Sequence, residues 1–171
     1  MECYESFPKA TVVYNLLTLG GAMVVGMVVL AQLGIWFAVG YLALLALTGY
    51  GLLALICARC YYYDRRCATG VGKVVARFFK KGQEEEFGQT ASQKAVLLLL
   101  VVVLLLPLVG GIVSLVVGYS TLRLALLVAL LALLVAGLAP HPRLVCSHCK
   151  LAEKGCCPIG KLVRSPTSTA S

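Results

Sequence analysis

Four stretches of about 20 apolar residues, each without an interior charge, leave this chain very few ways to fold. They occupy residues 10–31, 34–56, 95–117 and 122–139. A helix crossing about 30 Å of hydrocarbon needs about that many residues, because each adds about 1.5 Å and the helix satisfies its own backbone polar groups. The first stretch carries Thr11, Asn15 and Thr18, while Lys9, Lys94 and Arg123 stand at edges, where long side chains snorkel to the headgroups. Composition agrees, with 60% hydrophobic and 13% charged residues. Soluble domains run to about 45–50% apolar and about 25% charged, so a water-facing surface could not be covered. Disorder is excluded because it needs low hydrophobicity and many charges.

Only a few residues separate the first stretch from the second, around Gln32–Gly34, and the third from the fourth, at Gly118–Thr121. Each pair therefore reads as a tight helical hairpin. Of the 15 Lys and Arg residues, all but Lys9 and Arg123 fall in residues 57–94 or in the C-terminal tail. Basic residues mark the cytoplasmic side of a membrane protein. Both termini and the loop from Cys57 to Lys94 are thus expected in the cytoplasm, in a multi-pass protein of the cell (inner) membrane. Residues 1–9 hold Glu2 and Glu5 and no basic n-region, and the apolar run that follows exceeds a signal-peptide core. A retained helix is expected.

The hairpins look like copies of one unit. Gly20-Gly21 and Gly110-Gly111 precede Cys57-x2-Cys60-x6-Cys67 and Cys146-x2-Cys149-x6-Cys156 by nearly equal distances, and Cys157 extends the second cluster. Each cluster is followed by Gly-Lys, at Gly72-Lys73 and Gly160-Lys161. Leucine-rich spans always resemble one another, but matched cysteine spacing is hard to reach by accident. The expected fold is all-α and integral to the membrane: four transmembrane helices as two tandem hairpin repeats (2+2), with Cys-rich cytoplasmic knobs and a short amphipathic interfacial helix. Residues 1–94 form the first repeat, 95–164 the second and 165–171 a disordered tail, within one membrane domain. The glycine pairs are candidate contacts between hairpins, since small residues let membrane helices approach closely. Pro107 is expected to kink the third span.

Reducing cytosol disfavours a disulfide framework, so the cysteines read as metal ligands. Cys-x2-Cys brings two thiolates to one ion and recurs in zinc and iron–sulfur sites. The candidates are Cys57, Cys60 and Cys67, with Asp64 as a fourth donor, and Cys146, Cys149, Cys156 and Cys157, with His148 nearby. Nearby cations (Arg59, Arg65, Arg66, Lys150, Lys154) would favour thiolates. Two four-thiolate sites need one more ligand, which Cys3 could supply. One site per repeat, one site shared between the Cys-x2-Cys pairs, and a site in the second repeat alone all fit the spacing. Structural zinc is the favoured cofactor. The alternatives are an iron–sulfur cluster, thiol or soft-metal handling at the adjacent Cys156 and Cys157, and S-acylation beside the membrane.

Between the clusters, Val71, Val74, Val75, Phe78 and Phe79 recur at helical spacing, interleaved with Lys73, Arg77, Lys80 and Lys81. That pattern predicts a basic amphipathic helix on an anionic lipid surface. The Gly70-x-Gly72-Lys73 run lacks the phosphate-loop pattern, so no nucleotide is expected. Glu84, Glu85 and Glu86 read as a solvated linker. His141 and His148, the only histidines, lie beyond the last span and exclude a haem held by two intramembrane histidines. Mid-membrane charges for a proton relay are missing, as is any hydrolytic constellation. No nucleic-acid partner is expected. In helix count and paired cysteines the chain resembles the membrane thiol oxidases that pass electrons from disulfides to quinone. Their working cysteines face the oxidising side, opposite to the side expected here, so no residue role carries over. The sequence thus points to a non-enzymatic membrane protein that binds metal as an assembly, docking or accessory subunit of a larger complex. Membrane electron transfer and soft-metal handling are the alternatives.

Overall fold

The computed structural model describes residues 3–83, 87 and 90–150, and these are helical with no strand among them. Helix α1 (Lys9–Ala31) and α2 (Ile35–Gly51) form the first hairpin, α4 (Ala91–Val117) and α5 (Thr121–Leu138) the second. Between them lies the short α3 (Gly72–Phe78), and α6 (His141–Leu144) follows α5. Helix α2 continues through a π-helical turn, Leu52–Ile56, into a 3-10 turn, Cys57–Arg59. Four segments are long and apolar enough to cross a membrane: Lys9–Ala31, Ile35–Arg59, Ala91–Val117 and Thr121–His148. This is an all-α protein of four such helices, as the sequence predicts.

The distribution of side chains suits helices apolar enough to cross a membrane. Leu16, Leu17, Val24, Trp36, Leu98 and Val116 point outward, whereas Asn15, Thr18, Thr48, Gln93 and Ser114 are buried. Small residues fill the seams. Helix α1 packs on α2, α4 and α5, while α4 also contacts α2 and α5, so α1 and α4 form the centre and the other two flank them. A side chain at Gly26 would meet the Pro107 ring at 3.0 Å, and one at Gly110 would meet Leu30 at 2.5 Å. Gly21 and Gly111 also sit at contacts between the hairpins, facing Leu133 and Val29. Gly20 does not: the nearest neighbour there is Leu16 of its own helix. Gly26 and Gly137, which lack a glycine neighbour in sequence, are further close approaches: a side chain at each would meet its nearest neighbour, Pro107 and Leu19 respectively, at 3.0 Å.

Pro107 lies within an unbroken α4. Proline has no N–H, so the carbonyl of Val103, one turn earlier, loses its helical partner. Tyr41 of α2 replaces it: its hydroxyl donates to Val103 O at 3.2 Å, with both residues buried. Neighbouring helices commonly repair such gaps in membrane bundles. At the hairpin tips, Gly34 takes φ +144°, which a side chain would resist. Arg123 donates from Nη1 to Ser114 O and Gly118 O, both at 2.8 Å, and so caps the end of α4.

Two boundaries differ from expectation. Helix α4 starts at Ala91, not residue 95, because Thr90 and Gln93 form a capping box. Gln93 also donates to Leu55 O at 2.8 Å, so it docks the start of α4 on the π-helical turn of α2. The amphipathic segment forms a helix of only seven residues and ends at Phe78 because Phe79 is extended. The acidic run Glu84–Glu86 and the tail from residue 151 lie outside the described residues.

Candidate cysteine-rich site

The two Cys-x2-Cys pairs adopt matching local structure. Ile56 (φ −107°, ψ −58°) and Val145 (φ −113°, ψ −57°) each lead into a three-residue 3-10 turn, Cys57–Arg59 and Cys146–His148. Each turn ends on an extended cysteine, Cys60 (φ −80°, ψ 147°) and Cys149 (φ −87°, ψ 125°). The amide of each second cysteine donates to the carbonyl of the first, at 3.2 Å for Cys60 and 3.4 Å for Cys149. A backbone bond of this kind holds the two thiols of a pair at one tight turn.

Both turns lie at the same end of the bundle, joined by the N-terminal segment, residues 3–8. Tyr4 N donates to His148 O at 3.0 Å, and Phe7 N to Arg66 O at 2.9 Å. The Tyr4 ring stacks on His148, with centroids 4.7 Å apart, and Phe7 packs against Tyr62 at 5.1 Å. Phe7, Tyr62, Ala68 and Val145 form a buried cluster on which Cys60, Cys67 and Cys149 pack. Lys150 reaches Glu5 at 3.2 Å.

Tyr62 is the hub. It is 3% exposed, its hydroxyl donates to Tyr4 O at 2.8 Å, and it accepts from the Lys150 amide at 3.2 Å. One phenol thus ties the N-terminal segment, the first cysteine loop and the second. Burial holds its pKa above the ordinary 10.0, and the nearby Cys149, Cys60 and Cys3 thiols push the same way. Cys3 Sγ lies 3.9 Å from Cys149 O. Cys60 and Cys67 lie within electrostatic reach of Cys57.

Beneath this layer, Asn15 of α1 is 3% exposed. Its Nδ2 donates to Ala68 O at 3.1 Å, and its Oδ1 lies 3.4 Å from His141 Nδ1. Asn15, one of the polar residues of the first span, therefore anchors the cysteine loop and α6 to the bundle.

Of the seven sequence-predicted ligands, Cys57, Cys60, Cys67, Cys146 and Cys149 are brought to this end. Cys156 and Cys157 lie outside the described residues. None of the described cysteines is in a disulfide. Asp64 is exposed, in a left-handed turn at φ 60°, with its amide donating to Gly72 O at 3.2 Å. Among the described residues no three His, Cys, Asp or Glu side chains converge as a ready metal site. The cations engage other groups: Arg65 reaches the Tyr61 hydroxyl, Arg66 reaches Ser6, and Lys150 reaches Glu5. Hydrogen bonds to Glu5 and Tyr61 raise the Lys150 pKa. Tyr62, Phe7 and Asn15 are the site residues that cysteine spacing could not reveal. The Tyr61-Tyr62-Tyr63 run directly after Cys60 is a sequence signal for Tyr62 alone; Phe7 and Asn15 carry none. No protein-family model matches this chain, and neither a curated protein nor a solved structure shows significant similarity to it.

Proposed function

We propose that this is a non-enzymatic membrane protein whose two hairpins are repeats of one unit and whose paired cysteine turns bind zinc at the cytoplasmic face. One site is shared by both repeats, with Cys57 and Cys60 from one turn and Cys146 and Cys149 from the other. The observation that carries this reading is the matching geometry of the two Cys-x2-Cys turns at one end of the bundle. Thiols in such pairs suit a tetrahedral zinc site, and a closed four-ligand site is structural. Binding would draw the thiols closer than they stand and release their protons. Cys3, Cys67, Cys156 and Cys157 are reserve donors. A bound ion would lock the termini to the central loop and present one rigid surface, the requirement for a docking or accessory subunit in the inner membrane.

Anaerobic purification followed by metal analysis and a visible spectrum tests this. About one zinc per chain without colour is expected. Replacing Cys60 and Cys149 together by serine should abolish it. A brown protein absorbing near about 400 nm would replace zinc by an iron–sulfur cluster. A chain free of metal, with every thiol labelling rapidly, would overturn the metal reading altogether.

A further inference from the structure

The apolar residues of the basic segment do not form one face. Val75 is fully buried, and Gly72 is pressed against the carbonyls of Arg65 and Tyr62, so this side of α3 is used to dock on the cysteine loop. Val74 and Phe78 face the other way, 48% and 73% exposed. Lys73, Arg77, Lys80 and Lys81 are exposed around them. The end of α3 is held beside the second span. Tyr63 Oη donates to Phe79 O at 2.7 Å, Gly82 N donates to Ala58 O at 2.9 Å, and the Phe79 ring meets Tyr50 at 5.6 Å. Tyr50 lies about two helical turns before Cys57 on α2, and it is 64% exposed on the outer surface of an apolar helix. Phe79 therefore packs beside the apolar second span, about two helical turns before its cysteine turn, and keeps the end of α3 next to that span.

We propose that α3 is a docked contact for anionic phospholipid, with Phe78 and Val74 inserted among the acyl chains and Lys73, Arg77 and Lys80 on the phosphates. Charge complementarity selects the occupant: Lys73, Arg77 and Lys80, with no acidic residue between them, attract a negatively charged leaflet. The position beside the apolar second span selects a lipid over a soluble acidic partner. The surface is built independently of any metal at the cysteines. It differs from a free amphipathic anchor because Val75 and Gly72 fix it to the loop, so lipid charge is read beside the cysteine turns.

The test uses the full chain in vesicles of phosphatidylcholine with spin-labelled phosphatidylglycerol or spin-labelled phosphatidylcholine as reporter. The wild type should retain the phosphatidylglycerol label several-fold more strongly, and about 1 M salt should erase the difference, since the Debye length is then about 3 Å. Lys73→Gln, Arg77→Gln and Lys80→Gln together should bring the ratio close to one, while Arg65→Gln with Arg66→Gln should leave it high. Independently of charge, Phe78→Trp in a Trp36→Phe background should be quenched by lipids brominated near the headgroup end of the chain. Equal retention of both labels by the wild type, an unchanged ratio in the triple variant, or no quenching of the new tryptophan would each overturn the proposal.

Discussion

At the scale of single residues, two polar side chains carry the cysteine-rich end. Asn15 serves Ala68 O and His141 from inside the bundle, where water cannot take over either bond. Asn15→Leu should cost about 1–3 kcal/mol, the price of orphaned polar groups, read as a lowered Tm of the full chain in detergent. An unchanged Tm would show that the loop does not depend on that anchor. Tyr62 makes a pH prediction. Its folded-state pKa stands above the unfolded value near 10.0, so its contribution is complete below pH 10 and declines as pH rises from there through the folded value. Lys150, also raised, acts in the same direction. The N-terminal segment should stay docked at neutral pH and loosen only in strong alkali. In a spectrophotometric titration, Tyr62→Phe should remove amplitude from the late alkaline tail and spare the main tyrosine step. Amplitude lost from the main step would mean that the phenol is not buried.

Among elements, the decisive contact is where α1, α2 and α4 meet. Pro107 frees a carbonyl, Tyr41 accommodates it, and Gly26 gives the ring room. These three residues form one device, so their effects should not add. Tyr41→Phe should destabilise the bundle by about 1–3 kcal/mol in the native background. In a Pro107→Ala background the residue 107 N–H can take the Val103 carbonyl, and the same change should cost little. Equal costs in the two backgrounds would sever the link between the tyrosine and the proline. A plainer contrast concerns glycine: Gly26→Leu should overpack the seam and cost about 1–3 kcal/mol. At Gly40, by contrast, a side chain would meet nothing within 4 Å, so Gly40→Ala should be tolerated.

For the whole molecule, the central feature is polarity between its two ends. One end holds the hairpin tips, with Arg123 and the exposed Tyr119, and the other gathers the N-terminal segment, the cysteine turns and α3. The proposed orientation puts the tips outside. An impermeant thiol reagent added to intact cells should therefore label a Tyr119→Cys variant and spare the native cysteines until the cells are permeabilised. Labelling of Cys67 from outside would invert the protein in its membrane.

The four helices, their pairing into hairpins and the gathering of most basic residues and of the cysteines at or past the span ends are all legible in the sequence. Each rests on a quantity that is local and additive along the chain, namely hydropathy summed over about 20 residues or charge counted in a loop. Helix ends followed less closely, since Gln93 starts α4 early through a cap whose other role is to bond Leu55 on a different helix. The five described cysteine candidates do lie at one end, but nothing in their spacing says that Tyr62 joins them or that Phe7 closes over it. The basic segment is readable as amphipathic, yet its valines and phenylalanines divide between protein and exterior, because Val75 is buried while Gly72 on the same side of α3 sits against the carbonyls of Arg65 and Tyr62. Sequence by itself determined that the chain holds four helices long and apolar enough to cross a membrane and where its cysteines and cations gather. Only the tertiary structure decided which distant residues share a bond, because in lipid the large apolar side chains point outward and leave the packing to scattered glycines and single polar groups, whose partners no local pattern encodes.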